Sequence, residues 1–121
     1  MKLFKSGEYV ELQNPNSNQP YRPEILTVQN GAKNLGGMFG LLPPGSQVPY
    51  HSHVNRESVI IIIAGEATEV IEGEEIAIKA GDVLYIPAGE KHQTVNRSAG
   101  DFRYLEFYTC PPMGADFVEV K

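Results

Sequence analysis

The residues with chemistry to offer fall in two stretches of this 121-residue chain, Gly45–Gly65 and Gly81–Asn96. The first reads GSQVPYHSHVNRESVIIIIAG and holds His51, His53 and Glu57, while the second reads GDVLYIPAGEKHQTVN and holds His92. The chain has three histidines, and all of them lie here. On an extended strand alternate side chains share a face, so His51 and His53 point the same way about 7 Å apart along the chain. Two imidazoles so placed can reach one cation, and His92, from a distant strand, adds a third nitrogen. Glu57 keeps the same odd parity if no turn intervenes, which would bring in a carboxylate. Imidazole with carboxylate suits iron, manganese, nickel, copper or zinc better than calcium or magnesium. The expected ligands of a divalent transition metal are therefore His51, His53, Glu57 and His92.

The same residues resemble the paired motifs of the cupin superfamily. Gly45, His51, His53 and Glu57 fit the first motif; Gly81, Pro87, Gly89, His92 and Asn96 fit the second at every position. There is one departure. Seven residues separate Glu57 from Gly65 where the motif has six, and the acid of the longer variant would fall at position 58, which is Ser58. Either a bulge absorbs the extra residue or Glu57 stands away from the metal. The resemblance implies an all-β double-stranded β-helix, the jelly-roll cupin barrel, with the metal held inside it. Four protein ligands on a six-coordinate ion leave about two positions open, as catalytic sites do. The superfamily includes dioxygenases, decarboxylases, isomerases and non-catalytic binding proteins, so fold and metal do not choose among reactions.

The elements that must position these residues read as short strands. Apolar runs at 47–51, 58–63, 67–71, 75–79, 83–86, 92–96, 102–109 and 116–120 follow one another, with turns at Gly65, Gly73, Gly81 and Gly100. Such spacing is the mark of a β-sandwich or small barrel. Glu72-Gly73-Glu74 is the clearest hairpin, Ile25–Val28 and Gly37–Leu42 read as earlier strands, and no helix-period segment appears. Residues 1–24 include the turn-rich Asn14–Pro20 and are expected to form an arm draped over a single barrel domain of residues 25–121. The run Ser58–Ile63 lacks alternation. If odd positions face inward with Glu57, then Ile60 and Ile62 face outward and need cover from the arm or from a second subunit, which predicts a homodimer. A bulge that flips the parity midway is the alternative.

Composition narrows the partners. The net charge of −5, spread along the chain, repels phosphate backbones, so nucleic acid is not an expected partner. No apolar run reaches membrane-spanning or signal-peptide length, which makes a cytoplasmic address the default. The lone Cys110 excludes an internal disulfide framework and is expected to be a buried or semi-buried inert thiol.

Glu69 is the candidate catalytic residue. An acid pointing into an apolar cavity has a raised pKa and can shuttle protons, whereas an outward-facing hairpin carboxylate does nothing. In the last long strand Phe102, Tyr104, Glu106 and Tyr108 share one face and Arg103, Leu105 and Phe107 the other, and periodicity does not say which is inside. Gln47, Tyr50, Arg56 and Tyr85 flank the site and offer groups for a carboxylate or hydroxyl. The expected function is a small metalloenzyme acting on a small polar organic molecule, with a non-catalytic metal-dependent binding module as the alternative.

Overall fold

The computed structural model describes residues 1–112 and 114–121. The strands are β1 (Glu24–Leu26), β2 (Leu35–Leu42), β3 (His51–His53), β4 (Ser58–Ala64), β5 (Glu66–Ile71), β6 (Glu74–Lys79), β7 (Val83–Ile86), β8 (His92–Val95), β9 (Phe102–Thr109) and β10 (Phe117–Glu119). They form two five-stranded antiparallel sheets, in the orders β1-β2-β9-β4-β7 and β10-β3-β8-β5-β6. This is the double-stranded β-helix that the motifs imply. Glu72 and Gly73 both adopt positive φ, 49° and 82°, in the turn between β5 and β6, the backbone twist that two-residue hairpins favour.

The interior is set by parity along the two longest ladders. β2 pairs with β9 from Leu35↔Thr109 to Leu42↔Phe102, and β9 pairs in turn with β4 through Ile60↔Glu106. Phe102, Tyr104, Glu106 and Tyr108 are all buried, so the even face of β9 lines the barrel. Gly40 lies opposite Tyr104, and any Cβ there would collide with the Tyr104 ring. Glycine at this position makes room for an inward aromatic.

Ile60 and Ile62 correct the expectation for β4. Both are buried in the barrel core with Met38, Ile78 and Phe102, so they cannot form an outer contact face. Parity flips upstream of β4, at a bend over Val54 and Asn55. The Asp116 carboxylate holds that bend by accepting hydrogen bonds from the backbone N–H groups of Asn55 and Arg56. Inward positions therefore run His51, His53 and then Arg56, Ser58, Ile60.

The opposite face of β4 is covered at Ile61 and Ile63 by the chain's own arm. Tyr9 and Leu12 pack with Ile61, Ile63 and Phe107 over Phe39, Leu41 and Leu105, and Arg103 donates to the Leu12 carbonyl at 3.0 Å. The arm also carries a five-residue helix, α1 (Ser6–Val10), where no helix was expected. It is too short to show periodicity, and its hold is tertiary. Cys110 also departs from expectation. It is exposed, at a positive φ of 55° where the chain leaves β9.

Candidate metal centre

β3 and β8 bring the three histidines together. The strands pair antiparallel with His51 opposite His92, and His53 lies two residues along on the same face. All three are buried, and ligating atoms of all three lie within 4.8 Å of one another. Ring centroids are 4.3 Å apart for His51 and His92, 4.9 Å for His51 and His53, and 5.8 Å for His53 and His92.

Hydrogen bonds orient two of the rings. Nδ1 of His51 lies 2.6 Å from the Pro49 carbonyl oxygen, and Nδ1 of His92 lies 2.9 Å from that of Glu90. A carbonyl accepts only, so each Nδ1 carries the proton and each Nε2 keeps its lone pair free. Such backbone partners are the usual outer support of a metal-bound imidazole. His53 Nδ1 is buried with no hydrogen-bond partner. Burial lowers the His51 pKa to about 3 against the opposing Pro49 carbonyl, and burial with the nearby Arg56 charge lowers that of His53 to about 4. Both imidazoles are therefore neutral near pH 7, the form that ligates. Three clustered imidazoles with a buried, unpartnered nitrogen among them fit a transition-metal cation.

Glu57 stands outside this group. It is exposed on the far side of the parity flip, where its Oε1 accepts a 2.8 Å hydrogen bond from the Tyr85 hydroxyl. Ser58 takes the inward position and is buried. Two of the flanking candidates are likewise engaged elsewhere. Tyr85 is exposed with Glu57, and Arg56 is buried over the Tyr108 ring at 4.2 Å while it donates to the Cys110 and Pro112 carbonyls. Gln47 is exposed and Tyr50 half-buried.

Glu69 points inward from β5 and is fully buried. Thr94 on β8 donates to its Oε1 at 2.6 Å, while its Oε2 is buried without a partner. Burial is the main reason its pKa rises to about 8, with the Glu106 charge adding to the rise and the Thr94 hydroxyl opposing it. Thr94 also lines a small cavity beside the histidines, together with Arg22, His51, His92, Tyr104 and Glu106. Sequence reasoning left Glu106 on an undecided face and did not single out Arg22, which lies in the turn-rich arm. At the mouth, Phe117 of β10 stacks on His51 at 4.6 Å and 22° and meets His53 edge-on at 6.1 Å.

Comparison with known proteins agrees with this fold. Residues 38–108, more than half of the chain, match the cupin domain family. The chain belongs to the cupin family. This cupin is 38% identical over 64 residues to an oxalate-binding protein of Thermotoga maritima, a stretch that covers 53% of each chain. It spans about half the length of the curated relatives it matches. Among solved structures it resembles a predicted oxalate decarboxylase of Thermotoga maritima at 27% identity and TM-score 0.70, over 79% of this chain and 90% of the other. It also resembles the polyketide cyclase RemF of Streptomyces resistomycificus at 20% identity and TM-score 0.80, over 100% of this chain and 86% of the other. The latter likeness concerns the fold alone.

Proposed function

We propose that this cupin binds one divalent transition metal through His51, His53 and His92 and acts on a small polar organic molecule at that centre. The observation that carries this reading is the buried cluster of three imidazoles whose ligating atoms lie within 4.8 Å of one another. Iron, manganese, nickel, copper and zinc all suit such donors. In this reading Glu57 stays out of the ligand set, because its carboxylate is exposed and bonded to Tyr85. When bound, the ion supplies a Lewis acid that polarises a ligand oxygen. Glu69 holds a proton at neutral pH, and Thr94, which donates to its Oε1 and lines the cavity, links the carboxyl to the site.

A binding role without turnover is the second reading. It is supported by the name of the Thermotoga maritima relative, an oxalate-binding protein. Glu69→Gln separates the two readings: lost turnover at unchanged ligand affinity makes the protein an enzyme, and an absence of turnover in the wild type makes it a binder.

The metal reading is tested by elemental analysis of protein purified without chelator or affinity-tag metal. About one equivalent of a single transition metal per chain is expected. Full occupancy in a His53→Ala/His92→Ala double variant would sink it.

The same reading takes the protein as a cytoplasmic homodimer. Among the described residues no helix is long and apolar enough to cross a membrane, and the single free thiol suits a reducing compartment. With Ile60 and Ile62 inside, the self-contact falls to the edge of the first sheet, where Val59, Val83 and Tyr85 are exposed. Sedimentation at tens of micromolar decides it. A monomeric wild type rejects the dimer, and a dimeric Val83→Lys/Tyr85→Lys variant moves the contact elsewhere.

A further inference from the structure

Arg22 is half-buried, with its Nε inside the cavity beside the histidine centre, and the chain is tied down on both sides of it. Tyr21 exchanges two backbone hydrogen bonds with Leu41, at 2.9 and 2.8 Å, and the Pro23 carbonyl accepts one from Phe39 at 3.0 Å. With both neighbours fastened to β2, the side chain between them is aimed into the barrel. There it shares a cavity with Val48, His51, His92, Tyr104 and Glu106.

The guanidinium is incompletely satisfied. Its Nε is buried without a hydrogen-bond partner. Glu106 and Tyr104 lie near it, yet among the described residues Arg22 makes no ion pair within 4.0 Å. A guanidinium nitrogen held out of water without an acceptor is unfavourable unless something else meets it. The histidine centre offers no compensation, since its three side chains are uncharged when they ligate and the inward position that the motif gives to an acid is Ser58. A divalent ion there would leave the cavity with an excess of positive charge.

Resting on the metal-binding reading above, we propose that Arg22 is the anion-recognition residue of this cavity. Its ligand is a small carboxylate whose charged head lies between the Arg22 guanidinium and the histidine centre. The planar fork of N–H donors matches a carboxylate, and Arg is the side chain best suited to that pairing when buried.

The test is calorimetric titration of oxalate, and of its neutral analogue oxamide, into wild type, Arg22→Gln and Arg22→Lys. Metal content is measured separately on each. Oxalate is expected to bind the wild type, at least tenfold more weakly to Arg22→Gln, and with intermediate strength to Arg22→Lys, with equal metal content in all three. Oxamide is expected to bind the wild type at least tenfold more weakly than oxalate. Equal oxalate affinity in wild type and Arg22→Gln overturns the proposal, as does oxamide binding that matches oxalate, or a wild type that takes up no oxalate at millimolar concentration. Should all three proteins lack metal, the metal reading fails on its own, and the same titrations on the metal-free proteins still judge Arg22 by the same outcomes. Should Arg22→Gln fail to fold, Arg22→Lys decides, because it keeps the charge and loses the fork: weaker oxalate binding supports the proposal and unchanged binding overturns it.

Discussion

Thr94 donates a 2.6 Å hydrogen bond to one oxygen of Glu69, and the other oxygen of that carboxyl is buried with no partner. The two residues face each other directly across the β5–β8 ladder. A carboxylate with one oxygen stranded in the interior is poorly solvated, so this side chain keeps its proton well above the ordinary range.

That arrangement fixes the sign of a pH effect. The native pKa of Glu69 is raised from 4.5 to about 8, so above pH 4.5 the unfolded chain binds fewer protons than the native one. Stability from this group is complete below 4.5 and is lost as pH rises through 8. Relative to Glu69→Gln, the wild type should lose up to about 1.4 kcal/mol per pH unit across that window. Denaturant unfolding of metal-free protein at several pH values measures it. Parallel curves for the two proteins would mean that Glu69 is already ionised in the folded state.

The histidines carry the opposite sign. Native values of about 3 for His51 and about 4 for His53 lie below the ordinary 6.5, so in acid the unfolded chain takes up protons that the native one refuses. Stability is present above 6.5 and falls toward pH 4, by at most about 1.4 kcal/mol per unit for each group. Metal should leave over the same range, because protonated imidazole cannot ligate. Metal affinity that stays flat from neutral pH down to 5 would show that carboxylates hold the ion.

Single substitutions sort ligands from neighbours. His51→Ala, His53→Ala and His92→Ala should each weaken metal binding by more than about tenfold. Glu57→Ala should leave it unchanged and remove only the hydrogen bond from Tyr85. Metal content measured after dialysis against a weak chelator separates these outcomes, and a Glu57→Ala protein that loses its metal would bring that residue back into the ligand set.

Phe117 shields the centre from one side. Stacked on His51 at 4.6 Å, its ring covers an imidazole face that would otherwise be open. Phe117→Ala should speed metal removal by a strong chelator several-fold while leaving the number of bound ions the same. Unchanged release kinetics would show that exchange follows another path.

Much of the architecture was legible because glycine turns and apolar runs are local signals. β4 through β9 fall within a residue or so of the runs in the sequence, and the hairpin at Glu72 and Gly73 has the positive φ values its residues favour. What was not legible depended on distant contacts. The parity of β4 is set by a bend held by Asp116, 60 residues further on. Without that partner Glu57 and Ile60 cannot be assigned to a face, and the two readings of the first motif stay open. Arg22 was hidden for the same reason: its inward aim comes from the hydrogen bonds of Tyr21 and Pro23 to β2, while its own surroundings in sequence read as turn. The face of β9 was undecided because both sides are apolar, one lining the barrel and the other lying under the arm.

β3 is a slender element to carry two of the three histidines. A single registered pair, His51 with His92, ties it to β8, and on its other side it holds only the three-residue β10. Local unfolding therefore has a natural fracture line between β3 and β8, and the amides of 51–53 and 117–119 should exchange with solvent as one unit, ahead of the long β2–β9–β4 ladders. An ion gripped from both sides of that line would act as a cross-brace. It would carry the weakest seam of the second sheet into the slowest-exchanging class, so that occupancy could be followed from amide protection alone.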